Sequence, residues 1–125
     1  MSNFKHTTLT AVDFIVKDKL HPREAWRKAA QQEFMGKSQV NKSCPMSTFF
    51  VLCEEGLIRE VKKGKYSKRI KENRETTLKA IEYLKTNPNS NLDHLDLWRK
   101  IGQTKSYDYQ MHVILILYKK GLFEL

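Results

Sequence analysis

The chain has 125 residues, 40% of them hydrophobic and 30% charged, and its 23 basic and 14 acidic side chains leave a net charge of +9. That length supports about one domain, and the composition describes an ordinary globule and not a disordered tail. The longest apolar run, Val113 to Tyr118, is too short to span a bilayer, and the excess of positive charge favours anionic partners without dictating a fold.

The opening stretch MSNFKHTTLTAVDFIV has no charged start, apolar block and small-residue cleavage site of the secretory kind. Cys44 and Cys53 are therefore expected to be reduced thiols of a cytoplasmic protein. Phe4, Thr8, Ala11, Val12 and Ile15 recur at helical spacing and predict an amphipathic helix over 3–19. Pro22 fits a first helical position, and Ala25, Trp26, Ala29, Ala30 and Phe34 give a second helix its apolar stripe, ended by Gly36. The polar run GKSQVNKS then reads as an exposed loop.

For the next helix, Ser43 or Cys44 is the expected cap, with Pro45 in the first turn. Met46, Phe49, Phe50 and Cys53 stand at i, i+3, i+4 and i+7, which predicts one buried face and leaves Ser47, Thr48, Glu54 and Glu55 outside. Gly56 fits the left-handed position past the end, with Leu57 folding back onto Leu52. IREVKKGKY reads either as a short wing-like β-hairpin near 58–66 or as an irregular loop.

A long helix over about 68–86 carries Ile70, Thr77, Ile81 and Leu84 inward, and TNPNSN stops it. LDHLDLWRKI gives a short helix with Leu92, Leu95, Trp98 and Ile101. From about 107 to 120, YDYQMHVILILYKK is apolar on nearly every side, which places that helix in the middle of the domain. FFVLCEEGLIRE and ILILYKKGLFEL echo one another, and the simplest account is two buried helices with the same stop chemistry. The fold expected over 1–125 is a mostly α single compact domain of five to six helices around a hydrophobic C-terminal helix.

Chemistry-bearing residues are sparse. A thiol at a helix start, as at Cys44, feels the positive dipole end, and Lys42 beside it would push the same way. Nucleophilic catalysis also wants an oriented base, and none of His6, His21, His94 and His112 shares a local motif with Cys44. Cys44 therefore reads as a capping side chain and Cys53 as a core residue. The two cysteines stand outside zinc-ligand spacing, and Asp93, His94 and Asp96 occupy a helix first turn, where acids are expected for dipole reasons alone. No GxGxxG, Walker loop or GxSxG occurs, so neither a cofactor nor a metal nor a catalytic residue is expected.

The basic run is the strongest physical signal. Arg59, Lys62, Lys63, Lys65, Lys68, Arg69, Lys71 and Arg74 are opposed only by Glu60 and Glu72, a local charge of +6. Phosphate-contacting segments concentrate charge in this way, with Gly64 allowing close approach and Tyr66 offering a stacking ring. Helix, Gly-Leu-Ile and basic turn also resemble the recognition helix and wing of winged-helix regulators. Against that, about eight residues separate the two helices where a helix-turn-helix has three or four, and the outward face carries acids and no arginine.

K-S-C-P-x-x-x-F-x-x-L-C-E-E-G-L, with Ala25-Trp26 upstream, Leu97-Trp98, and Q-M-x-x-x-x-x-L-x-x-x-G-L-F at the end, resembles a group of small uncharacterised bacterial proteins with a domain of unknown function. The resemblance runs from about Ala11 to Phe123, and its CP-to-EEGL block is the specific part. Its members have glycine where Ser43 stands, Asn-Ser in place of Asp108 and Tyr109, and Asp in place of His112. The resemblance implies one domain and no assigned activity, cofactor or catalytic residue. The functional expectation is a small binding module without catalysis, whose 59–74 segment meets a DNA or RNA phosphate backbone or, alternatively, an acidic protein. An enzyme using Cys44 is a distant third.

Overall fold

The computed structural model describes residues 3–36, 40, 42–66, 71–88, 91–103, 107 and 109–125, with the backbone alone at 71 and 72. Among them run six helices: α1 (Phe4–Asp18), α2 (Pro22–Glu33), α3 (Ser43–Glu54), α4 (Lys71–Thr86), α5 (His94–Lys100) and α6 (Gln110–Lys119). None of these is long and apolar enough to cross a membrane.

Short connections make sequence neighbours pack. Lys19 turns left-handed at φ 59° to end α1, and His21 accepts the Arg23 N–H through Nδ1 at 3.2 Å ahead of Pro22. The two helices then lie against each other, with Phe4 centred 4.8 Å from Phe34 and His6 Nδ1 2.5 Å from Glu33 Oε2. Trp26, fully buried, meets the Phe49 ring at 5.0 Å in a tilted contact and so joins this pair to α3.

α3 differs from the expected amphipathic helix. Phe49, Phe50 and Cys53 are buried as the spacing predicts, with Met46 partly covered, but Ser47, Thr48 and Glu54 are buried as well. α2, α4 and α6 all pack on it, so every residue from Ser47 to Glu54 is covered and only Glu55 beyond them lies outside. Its cap differs too. Lys42 holds the N-cap position with no side-chain bond to the helix, while Ser43 and Cys44 fall within the first turn.

α6 starts at Gln110, later than the pattern suggests, because Tyr109 takes a left-handed φ of 68°. It is central as predicted, packed against α1, α3, α4 and α5. Thr76, Thr77, Ala80, Ile81 and Leu84 of α4 face inward, whereas Ile70 lies outside the described residues. On α5, Asp93 caps by accepting the Asp96 N–H at 2.8 Å. Leu97 and Trp98 are buried there, and Leu95 is exposed.

The sequence echo becomes a contact. Gly56 (φ 70°) and Gly121 (φ 67°) end α3 and α6, with Leu57 N–H donating to Leu52 O at 3.1 Å and Leu122 N–H to Leu117 O at 3.0 Å. The two exits then pair as an antiparallel bridge between Ile58 and Phe123. Arg59 N–H donates to Leu122 O at 2.8 Å and Glu124 N–H to Leu57 O at 2.7 Å, a reciprocal pattern that relates the two exits by a local twofold. This clasp replaces the wing-like hairpin considered for 58–66: Ile58 bridges to Phe123, and Val61 to Tyr66 form no ladder.

Candidate functional site

The basic segment leaves α3 through the clasp and crosses the surface toward α4. Ile58 and Val61 are buried and hold its start, helped by Val61 N–H donating to Ile58 O at 3.1 Å. Tyr66 holds its far end. The Tyr66 hydroxyl donates to Lys62 O at 2.6 Å, and Arg23 Nε donates to Tyr66 O at 2.6 Å. The Tyr66 ring meets His21 edge-on at 5.2 Å. Burial, with Cys53 and Glu54 nearby, raises the phenol pKa and so keeps the hydroxyl a donor. Gly64 leaves room for this closure, since a Cβ there would sit 2.7 Å from the Tyr66 oxygen and force the ring to shift.

The structure divides the eight cations of the run. Lys62, Lys63 and Lys65 are exposed on the closed loop and make no ion pair among the described residues. Arg59 lies 3.6 Å from Glu124, both well exposed. Arg74 turns away from solvent toward α3, with Nη1 2.6 Å from Glu55 Oε2 and Nη2 2.9 Å from Glu54 Oε2. Its charge is spent on the buried Glu54. Lys68, Arg69 and the Lys71 side chain lie outside the described residues. Tyr66 was expected as a stacking ring and serves here as a strut. Burial of Ser47, Thr48 and Glu54 also removes the face with which α3 could read base edges.

Cys44 is part-buried and Cys53 buried, and neither is joined in a disulfide. Burial first and Glu54 second push the Cys53 thiol far above its usual pKa, which makes it an inert core side chain. Among the described residues no group of three or more His, Cys, Asp or Glu is placed to hold a metal.

The fold assembles one cluster that sequence spacing does not reveal. His94 at the start of α5 and His112 on α6 bring their rings to 4.1 Å between centroids. The Tyr107 oxygen accepts the His112 backbone N–H at 2.8 Å and is also hydrogen-bonded to His112 Nδ1. Burial, then His94 and Lys5, push the His112 imidazole down from 6.5 to about 4. No periodicity pairs positions on two different helices, so this cluster had no sequence signal beyond the presence of the histidines.

A family model described as "Family of unknown function (DUF6979)" matches residues 1–124. Searches of the curated proteins and of the solved structures returned no match.

Proposed function

We propose, from the premise that this chain belongs to DUF6979, a family of unknown function, that it is a binding module without catalysis that grips nucleic-acid phosphate through Lys62, Lys63 and Lys65. One observation carries the reading: three exposed lysines, with no ion pair among the described residues, sit on a short loop fixed at both ends by Val61 and Tyr66. A fixed loop loses little freedom on binding, so its charges act with little ordering cost. Lys68, Arg69 and Lys71 follow in the chain and extend the same charge. Arg59 and Arg74 contribute less, because acidic partners already face them.

Contact is to phosphate and not to bases, since the loop lacks the Asn, Gln or Arg array of base readout. Binding is therefore weak, about 10⁻⁴–10⁻⁶ M at physiological salt, and indifferent to sequence. A salt titration against random duplex and single-stranded DNA tests this, with an expected log–log slope of about −4. Replacing Lys62, Lys63 and Lys65 by Ala flattens that slope by about 3 and weakens all sequences alike. Undiminished binding by the triple variant, or no binding by the parent at low salt, overturns the reading and leaves an acidic protein as the partner to test.

A further inference from the structure

Beyond the lysine loop, the structure holds a second basic site of different shape. A cavity of about 50 Å³ opens between α1, α5 and α6, lined by Lys5, Asp93, His94, His112 and Lys119 over a floor of Leu115 and Ile116. Space of that order admits a few waters, and so a single tetrahedral or planar oxyanion group but no base or sugar.

The donors converge from three elements. His112 is 7% exposed, a polar ring set into the central helix. The Tyr107 oxygen accepts the His112 backbone N–H and is hydrogen-bonded to ring Nδ1, which engages that nitrogen and orients the imidazole, with Nε2 as its second polar atom. His94 lies against that ring at 4.1 Å, and Lys5 and Lys119 stand exposed at the mouth. Among the described lining residues the opposing charge is Asp93, which already has Oδ1 engaged in capping α5. Among the described residues the Tyr107 and Tyr109 rings also pack on the histidines, and Lys42 lies 5.9 Å over Tyr109. Among the described residues, two fixed cations and two imidazoles thus face one carboxylate across a small cavity.

We infer that this cavity is a binding site for a phosphate-sized oxyanion, held by Lys5 and Lys119 at the mouth and by His94 and His112 within. The site is independent of the lysine loop and stands or falls apart from it. Burial first, then His94 and Lys5, disfavour a charged His112, and an anion in the cavity would offset the two charge contributions. By linkage, anion binding raises the His112 pKa, and protonation of His112 tightens the anion in equal measure.

The test follows the His112 ring resonance by NMR across pH in the full chain, at constant ionic strength, with chloride replaced by inorganic phosphate. The expected result is an upward shift of about one pKa unit, which is about tenfold tighter phosphate binding to the protonated ring. Lys5→Met and Lys119→Met together abolish the shift, and both positions are exposed, so a circular-dichroism melt confirms that the variant folds. A parallel titration with a phosphate monoester distinguishes the terminal group of a larger molecule from the free ion, and a shift with either probe supports the site. Equal His112 pKa values in chloride, phosphate and monoester, or a shift that survives in the double variant, overturn it.

Discussion

Arg74 on α4 reaches back to Glu54 on α3, placing Nη2 2.9 Å from a carboxylate that is only 9% exposed. The pairing explains how an acidic residue stands among the core positions of α3, and it removes one cation from the basic surface. Deleting the guanidinium beside a buried carboxylate removes part of its compensating charge while the desolvation cost remains. Because Arg74 itself is 35% exposed, solvent moderates the loss. Arg74→Ala is expected to destabilise the fold by about 1–3 kcal/mol, measured as a shift in the urea midpoint at constant m-value. A midpoint equal to the parent's would mean that water replaces the guanidinium.

Core packing gives a larger effect. Phe50 is 5% exposed and lies under the Arg23 guanidinium at 5.7 Å. Phe50→Ala removes that ring and is expected to cost about 3–5 kcal/mol. Met35→Ala, at a position that is fully exposed, should stay within about 0.5 kcal/mol. Thermal melts of the two variants side by side check whether the packing scheme is right.

The closed loop separates shape from charge. Tyr66→Phe deletes the bond to Lys62 O, and Gly64→Ala drives a methyl against the Tyr66 oxygen. Each should cost about 0.5–1.5 kcal/mol of stability and speed amide exchange over residues 61–66. With all three lysines retained, both variants should bind DNA more weakly than the parent. If loosening the loop leaves affinity unchanged, charge alone carries the contact and the fixed geometry has no part in it.

Stability should fall in acid through His112. Its folded pKa is about 4, below the unfolded value of 6.5, so below pH 6.5 the unfolded chain takes up a proton that the folded chain refuses. Destabilisation grows as pH drops from 6.5 to 4 and levels off below that, reaching about 3 kcal/mol at most. His112→Asn keeps a polar side chain without the titration and should flatten the profile in that window. Equal slopes for parent and variant would place the acid sensitivity in other groups.

These expectations reflect what the sequence could and could not express. Helix positions were legible because Phe4 to Ile15 and Phe49 to Cys53 repeat at helical intervals, and because Gly56 and Gly121 mark stops. The all-round burial of α3 was not legible. Ser47, Thr48 and Glu54 look like a solvent face until Arg74, twenty residues on, supplies a counter-charge. The basic run was visible as composition, but its division into three open lysines and a buried-pair arginine depends on tertiary contact. The histidine cluster was invisible for the same reason, since α5 and α6 must fold against each other before His94 and His112 meet.

The Ile58–Phe123 clasp sets an order of assembly. Its partners are 65 residues apart in the chain, so the segment entering the lysine loop cannot be fixed until the exit of α6 has been synthesised and docked. Closing so long a loop is entropically costly and slow relative to helix formation. While the chain is still emerging from the ribosome, α1, α2 and α3 can find one another, but Leu57 to Arg59 lack their partner strand. The lysine loop is then still unshaped, and its fixed array forms only once the exit of α6 has emerged and docked.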